Sequence, residues 1–268
     1  MPPNANWISV GALADGFAPD SHTLPPCFDL AGLALELAFT EGTTVSLTIE
    51  RHGDAQVITT PNKEVIAVRV TSLRPGFYFV DYLDQQTSVT LLIDPSSGRA
   101  LRIVSTLPKT VDRGQSLLSR AQSGMTLTDV DVVFQTGHVI GTGRQSGFER
   151  TAELVGKRIR YRYSPTELYE HIYLNESFYT WHCLQGVEAG LADTDLCHYF
   201  KLADQLYLFV WQEKIVPTLG VVMVDLAQNK TDGKIFGYAG FSTGSYSNFQ
   251  IGAVARFAND TPSPDEGP

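Results

Sequence analysis

Two tyrosines and one glutamate are the side chains best suited to acid–base chemistry. Tyr161 and Tyr163 alternate with arginines in the segment KRIRYRY, so both phenols share one face of a predicted strand. Glu213 ends an aromatic strand much later in the chain. A carboxyl group beside apolar rings is poorly solvated, so its pKa should rise and it can carry a proton near neutral pH. We therefore predict a site in which Glu213 donates or accepts a proton while Tyr161 and Tyr163 orient the substrate.

The spacing of these residues also allows a plainer interpretation. Tyr161 and Tyr163 would then be core residues with satisfied hydroxyl groups, and Glu213 would lie at a solvated rim. The two interpretations differ in where the side chains point. The strands that contain these residues set that direction.

The segment LYLFVWQEKIVPTLGVVMVD, residues 206–225, is predicted to form a hairpin. At strand period Tyr207, Phe209 and Trp211 share the face of Glu213, and the opposite face is equally apolar. Pro217 fits a bend better than the middle of a central strand. We expect the aromatic face to line a cavity. The predicted substrate-binding residues are Trp211, Phe209, Tyr207, His198 and Tyr169.

Neither a metal nor a cofactor is predicted. The pairs His182–Cys183 and Cys197–His198 lie in predicted strands, so each pair points only one ligand inward, and no C-x-x-C or H-E-x-x-H spacing occurs. The acidic stretch GVEAGLADTD is more typical of a solvated loop than of a cation site. A serine-nucleophile motif, a phosphate-binding loop and a Rossmann fingerprint are absent from the sequence. His198 lies on an apolar strand face and is a candidate pocket residue.

The elements around these residues predict an all-β chain with two antiparallel barrels. Short period-two segments separated by Gly, Pro, Asp and Asn run through residues 29–107 and resume at residue 153. We predict an N-terminal barrel with an N-terminal arm over residues 1–110 and a connecting segment over 111–150, with a short helix at 112–122. A C-terminal barrel should follow over 151–258, and the polar, proline-rich tail at 259–268 should be disordered.

Weak self-similarity relates the two halves. DLAGLALELAF from Asp29 aligns with ELVGKRIRYRY from Glu153, and both share a Leu-x-Gly. This predicts a duplicated unit of about a hundred residues. Chance alignment of two period-two sequences is the alternative. Nine of the 11 tyrosines lie after residue 150, so a polar pocket is expected in the second half.

Composition restricts the kinds of partner and the cellular compartment that we expect for this protein. A net charge of −9 without a basic stripe argues against nucleic acid as a partner. No apolar run reaches the roughly 20 residues of a membrane helix, and the N-terminus lacks the pattern of a secretion signal. Three cysteines are an odd and sparse set that argues against a disulfide framework, so we expect a cytoplasmic protein. The arginines of KRIRYRY are expected on a solvated face or at a contact between subunits, which leaves a homo-oligomer possible.

Three long segments resemble the MoaF family, named for molybdenum cofactor biosynthesis protein F. They are WISVGALADGFAPDSH from Trp7, the stretch from Glu153 to Asp195, and LYLFVWQEKIVPTLGVVMVDL from Leu206. The resemblance covers nearly the whole chain. It implies two calycin (lipocalin-like) barrels and a link to the molybdenum cofactor, a phosphorylated pterin.

The second half is also distantly similar to the phenolic acid decarboxylases, small lipocalin-like barrels that work without a cofactor. The shared pattern consists of Gly156, Tyr161-x-Tyr163, Tyr169-Glu170, Gly186 and the W-x-E of Trp211 and Glu213. The resemblance implies that the paired tyrosines and the glutamate act on the substrate carboxylate and proton. The arginine of that family is replaced here by Leu191, so a carboxylate substrate would lose its positive partner.

These observations lead to two functional hypotheses for a small hydrophobic or aromatic ligand in the second barrel. The first is a cofactor-independent lyase, isomerase or cyclase that acts on a small aromatic or unsaturated metabolite. The alternative is a non-catalytic binding or carrier protein in molybdenum cofactor biosynthesis or insertion. Calycin folds carry, bind and occasionally catalyse, so the fold alone does not separate the two hypotheses.

Overall fold

The computed structural model describes residues 6–59, 64–109, 116–143, 147–241 and 244–261. The predicted all-β fold with two antiparallel barrels and a short helix is confirmed. The chain divides into an N-terminal unit, Leu24–Thr106 and Asp131–Glu149, and a C-terminal unit, Met1–Thr23, Leu107–Val130 and Arg150–Pro268. The predicted N-terminal arm and part of the predicted connecting segment therefore cluster with the C-terminal unit.

The N-terminal unit is a closed barrel of eight strands, each paired with its neighbours in sequence. The strands are β1 (Ala34–Phe39), β2 (Thr44–His52), β3 (Ala55–Thr59), β4 (Val65–Arg74), β5 (Phe77–Asp84), β6 (Thr87–Asp94), β7 (Arg99–Thr106) and β8 (Asp131–Val139). Pairing of Leu37 with Val139 closes the ring between β1 and β8. A single 3₁₀ turn, Thr40–Gly42, joins β1 to β2. The interior is mainly aliphatic, with Leu37, Ile49 and Leu91 fully buried.

The C-terminal unit holds a second antiparallel ring. Its strands are β10 (Lys157–Arg162), β11 (Leu168–Tyr173), β12 (Phe178–Gln185), β13 (Ala192–Ala203), β14 (Leu206–Glu213), β15 (Thr218–Asp225), β16 (Lys230–Tyr238) and β17 (Tyr246–Asp260). The two-residue strand β9 (Glu149–Arg150) pairs with β13 outside this ring. β17 pairs with both β16 and β10, and the pairing of Phe178 with Leu196 joins β12 to β13 and closes the ring. The predicted hairpin of residues 206–225 is β14 and β15, with Leu206 opposite Asp225.

Helix α1 (Val10–Phe17) packs against the C-terminal unit. The Ser9 hydroxyl accepts a hydrogen bond from the Ala12 amide at 3.3 Å and caps its first turn. Val10, Leu13 and Phe17 are buried because the spacings of three and four residues place them on one face. The sequence interpretation treated this segment as an arm and missed the helix.

The predicted helix of the connecting segment is α2 (Leu117–Gln122), which begins after the capping hydroxyl of Ser116. Residues 112–115 of that prediction lie outside the described residues. β17 continues to Asp260, so the first two residues of the predicted disordered tail are in a strand, and residues 262–268 are not described. Neither helix has the length and apolarity needed to cross a membrane, as far as the chain is described.

Aromatic side chains fill the C-terminal barrel. Alternation along each strand turns Tyr161 of β10, Tyr173 of β11, Tyr179 of β12 and Phe209 of β14 inward, and each is at most 2% exposed. Rings dominate the core here, whereas aliphatic groups dominate it in the other barrel. The candidate acid–base residues of the second half therefore lie among aromatic rings.

Gly220 of β15 makes room for the Trp211 indole. The two residues pair across β14 and β15, and a Cβ atom at position 220 would lie 2.1 Å from indole ring atoms. We expect Gly220→Ala to lower the free energy of unfolding by about 1–3 kcal/mol, because an overpacked core forces strained side chains. Urea unfolding followed by tryptophan fluorescence measures this loss.

The same substitution in a Trp211→Leu background is the control. We expect a much smaller loss there, because the clash partner is gone and the two sites are coupled. An equal loss in both backgrounds would contradict this account of Gly220.

Candidate functional site

A cavity of about 30 Å³ lies inside the C-terminal unit. Its aromatic wall is formed by Phe17, Tyr163, Tyr169, Tyr179, Trp181 and Trp211, with Leu13 and Ile235 as aliphatic contributors. Its other polar groups are Glu188, Glu213 and His171. A smaller void of about 10 Å³ shares Tyr163, His171 and Trp211 with it. Helix α1, four strands, the residue that follows β10 and the β12–β13 connection therefore contribute side chains to one hollow.

Glu213 turns its carboxyl group into this cavity. The residue as a whole is half-buried, but protein surrounds the carboxyl group, and the indole Nε1 of Trp211 donates to its Oε1 at 2.9 Å. Burial raises the pKa of Glu213 well above the ordinary value of a glutamate, and the nearby carboxyl groups of Asp195 and Glu188 raise it further. A carboxyl group whose pKa is raised by burial in this way is suited to hold a proton and to donate it.

Two further acids lie near Glu213. Asp195 is 2% exposed; its Oδ2 accepts from the Trp181 indole at 3.0 Å, and its Oδ1 accepts from the Lys214 amide at 3.2 Å. Glu188 accepts from the Tyr169 hydroxyl at 3.0 Å. Burial raises the pKa of both Asp195 and Glu188. The end of the barrel therefore concentrates acidic groups in an environment that disfavours their charge.

The tyrosine hydroxyls of this barrel differ in their hydrogen bonding. The hydroxyls of Tyr161 and Tyr173 bond each other at 2.6 Å, and that of Tyr199 accepts from the Cys197 thiol at 2.9 Å. The hydroxyls of Tyr163 and Tyr179 form no hydrogen bond within the described part of the chain, and both residues line the cavity. The two phenols beside Glu213 are thus the ones available to a ligand.

His171 is a site residue that the sequence interpretation did not single out. Its side chain is inward on β11 between Tyr169 and Tyr173, it is 5% exposed, and its Nδ1 has no hydrogen-bond partner among the described residues. Burial lowers the pKa of His171 to about 3, so its imidazole is neutral at physiological pH. Its position two residues from Tyr169 was the available signal, because both share one strand face.

The structure brings Tyr163 to Glu213 but not Tyr161. Tyr161 lies deeper in the barrel, where its hydroxyl is satisfied by Tyr173, and it lines only the smaller void. Among the predicted substrate-binding residues, Trp211 and Tyr169 line the cavity. Phe209 lies below them, stacked on Trp211 with ring centroids 5.3 Å apart.

Tyr207 and His198 lie away from the cavity. The Tyr207 hydroxyl donates to Glu153 at 2.8 Å. His198 is on the opposite face of β13 from the inward residue Cys197, and its Nε2 bonds Gln212 at 3.0 Å. The placement of His198 in the pocket therefore needs correction, because strand alternation turns it outward when Cys197 points inward.

The buried cysteines of the C-terminal barrel are poorly suited to bind a metal ion. Cys183 and Cys197 are buried thiols, and burial raises their pKa values to about 11 and about 12. Both therefore stay protonated, whereas a metal ligand must be a thiolate. No group of three or more His, Cys, Asp or Glu side chains is arranged to hold a metal ion in the part of the chain that is described.

The strand arginines point away from the cavity. Arg158 and Arg160 bond the carboxyl group of Glu170, which is 1% exposed, with 3.0 Å between Arg160 Nε and Glu170 Oε1. Burial acts to raise the pKa of Glu170, but hydrogen bonds from the two arginines bring it below the ordinary value. These cations are consequently neutralised on the outer face of the sheet.

Comparison with known proteins assigns the family. Residues 5–109 match the MoaF N-terminal domain and residues 148–261 match the MoaF C-terminal domain. Protein MoaF of Klebsiella aerogenes is 43% identical over 268 residues, which covers 97% of this chain and 98% of that protein. The chain belongs to the MoaF family. The resemblance seen in the sequence is thereby confirmed.

A solved structure gives a much weaker match to this MoaF-family chain. It is a putative beta-lactamase from Burkholderia vietnamiensis, with 19% sequence identity and a TM-score of 0.34. The match covers 41% of this chain and 100% of the other.

The raised pKa of Glu213 should make stability depend on pH. A carboxyl group with a raised pKa in the folded state contributes stability that is present below its unfolded pKa, about 4.3, and lost as pH rises through the folded pKa. We expect wild-type stability, relative to Glu213→Gln, to fall as pH increases from about 4 to about 8, by about 1.4 kcal/mol per unit of pKa shift. Urea unfolding at each pH, followed by tryptophan fluorescence, measures this difference.

Glu153→Gln is the opposite control. A hydrogen bond from Lys201 lowers the pKa of Glu153, so its small contribution is present above the unfolded pKa and lost as pH falls. Parallel pH profiles for wild type and Glu213→Gln would rule out a raised pKa at Glu213.

Proposed function

We propose that the C-terminal barrel binds a small aromatic or unsaturated molecule in the service of molybdenum cofactor biosynthesis, the process for which the MoaF family is named. Family membership supports the link to that process. The observation that carries the binding site is a mostly aromatic cavity that holds polar groups without hydrogen-bond partners among the described residues. They are the buried Nδ1 of His171 and the hydroxyls of Tyr163 and Tyr179. Buried polar groups normally have hydrogen-bond partners, so a ligand that supplies them would be stabilised here.

The cavity is closed around very little space. Its volume of about 30 Å³ holds roughly two water molecules, whereas ligand pockets usually measure about 300–1,000 Å³. Phe17 of α1 fills the aromatic slot: its ring centroid lies 4.7 Å from that of Tyr163 and 5.5 Å from that of Tyr169. A ligand would take the place of this side chain, so α1 has to move during binding.

Helix α1 is seated by close backbone contacts. The Gly11 amide donates to the Ala239 carbonyl at 3.1 Å, and a Cβ atom on Gly11 would lie 2.5 Å from the same oxygen. At the other end a Cβ atom on Gly16 would lie 2.6 Å from a methyl carbon of Val187. Only the small residues let the helix approach this closely, so the closed arrangement is specified by sequence.

Removing the Phe17 ring should open the site. We expect Phe17→Ala to bind benzyl alcohol at least about tenfold more tightly than wild type, because the competing ring is gone and tenfold corresponds to about 1.4 kcal/mol. Tryptophan fluorescence reports this binding, since the three tryptophans are Trp7, Trp181 and Trp211, and Trp7 packs 5.8 Å from Trp181.

Val10→Ala is the matched control on the same helix. Val10 is equally buried but packs against Gly237 and does not line the cavity. We expect it to lose stability without gaining affinity. Equal affinities for wild type and both variants would count against a ligand site behind Phe17.

The pathway assignment is tested in cells. Deletion of the gene should lower the activity of molybdenum-dependent enzymes, and the full-length chain should restore it. A chain with Glu213→Gln and Tyr163→Phe should restore less, because the cavity groups would be altered while the family fold is kept. Normal activity of those enzymes in the deletion strain would contradict the assignment.

Acid–base catalysis is the second candidate function, and the protonated state expected for Glu213 favours it. In that case Glu213 supplies a proton to a bound unsaturated ligand while the hydroxyl of Tyr163 orients it, which would make the protein a cofactor-independent lyase, isomerase or cyclase. Leu191 packs against the core in the region where the phenolic acid decarboxylases have an arginine. A carboxylate substrate is therefore disfavoured.

Substitution of Glu213 distinguishes a catalytic function from a carrier function. If the protein catalyses, Glu213→Gln should lower the turnover of a co-purified compound by about 10²- to 10⁴-fold while binding persists. Tyr161→Phe should change turnover little, because Tyr161 lies outside the cavity. Unchanged turnover in Glu213→Gln would exclude the catalytic role and leave the carrier role.

A further inference from the structure

The side chains that line the cavity carry no positive charge. Glu188 and Glu213 are acidic, His171 is neutral because burial lowers its pKa to about 3, and neither lysine nor arginine is among the described lining residues. Lys214 is the nearest cation in sequence, but its Nζ bonds Asp193 at 2.5 Å and Asp195 at 3.3 Å. The ionisable side chains that line the cavity are therefore either acidic or neutral.

Aromatic faces surround these acids. Tyr163, Tyr169, Tyr179, Trp181 and Trp211 line the same cavity as the two glutamates. Aromatic rings attract cations through their negative faces, most strongly where water is excluded, and indole does so best. A cage of rings around carboxyl groups thus favours a ligand with positive or hydrogen-donating edges.

Several atoms that line the cavity can accept hydrogen bonds from a ligand. The Oε2 atom of Glu213 receives no hydrogen bond from the described residues, since Trp211 donates to Oε1. The hydroxyls of Tyr163 and Tyr179 can each accept a hydrogen bond as well as donate one, and a neutral imidazole at His171 offers one acceptor and one donor. His171, which is 5% exposed and has an unpartnered Nδ1, is independent of the acidic groups and also points to a bound molecule.

We propose that this cavity selects a flat nitrogen compound with adjacent N–H donors, such as an amidine, a guanidine or an amino-substituted heterocycle, and rejects carboxylates and phosphates. The inference rests on the proposed binding function and names the ligand class for the same site. A cation beside Glu213 favours the ionised form of its carboxyl group. Two parallel N–H groups then match the two oxygens of that carboxylate, which is the geometry of bidentate recognition. The plane of the compound would stack against Trp211, and remaining N–H groups would reach the tyrosine hydroxyls.

An anionic ligand would meet the opposite conditions. Its negative charge would lose water in this cavity beside Glu188 and Glu213, and no cation among the described lining residues would compensate it. It would also find no guanidinium or ammonium group among the described lining residues, and Arg158 and Arg160 are bonded to Glu170 on the outer face. A phosphate or carboxylate carried by a ligand would therefore have to remain outside the barrel.

Three probes of nearly equal shape test the inference: benzamidine, benzamide and benzoate. They carry a positive, a neutral and a negative group on the same ring. Each is titrated into the full-length Phe17→Ala chain at neutral pH, with tryptophan fluorescence as the readout. We expect benzamidine to bind at least about tenfold more tightly than benzoate, with benzamide between them.

Glu213→Gln and Glu188→Gln, each added to Phe17→Ala, should reduce the preference for benzamidine. Glu153→Gln is the matched control: this glutamate bonds Tyr207 and Lys201 away from the cavity, so its loss should leave the preference unchanged. If Phe17→Ala does not fold, Leu13→Ala opens the same wall. Thermal shifts of the wild-type chain at high probe concentration give a further readout.

The outcomes separate the two proposals. Benzoate binding as tightly as benzamidine would overturn the ligand class and leave the binding function standing. Failure of all three probes to bind either opened variant would overturn both. A benzamidine preference that survives loss of Glu213 and Glu188 would show that these carboxyl groups do not cause the selection.

Discussion

The hydrogen bond from the Trp211 indole to Glu213 is the interaction on which the candidate site depends. Both side chains lie on one face of β14, two residues apart, so the strand itself sets their spacing. Gly220 on the adjacent strand provides the room that the indole needs. Without this arrangement the Glu213 carboxyl group would lose the apolar surroundings that raise its pKa.

The sequence was sufficient to predict the fold and, for most strand residues, which side chains point into the barrel. Period-two alternation predicted two antiparallel barrels and the hairpin of residues 206–225, and it turned Tyr161, Tyr163 and Glu213 inward. Alternation does not give depth along a barrel, however. Tyr161 and Tyr163 have ring centroids 6.5 Å apart, so the two rings lie in successive layers and only one reaches the layer of Glu213.

Three features could not be obtained from the pattern, each for a different physical reason. Both faces of β13 are apolar, with Cys197 buried on one and Phe200 on the other, so alternation alone could not place His198. Helix α1 has only eight residues, which is too short for a periodic signal to dominate. His171 resembles any inward strand residue in sequence, and only its three-dimensional surroundings reveal the unpartnered nitrogen.

Helix α1 also affects how the chain can be divided. It is close to the N-terminus in sequence, yet Val10, Leu13 and Phe17 cover the aromatic interior of a barrel whose strands begin after residue 149. A fragment starting at Arg150 would leave Tyr163, Tyr169 and neighbouring rings uncovered. Such a fragment would be prone to self-association. The segment that matches the MoaF C-terminal domain therefore needs helix α1 from the other matched segment in order to cover its core.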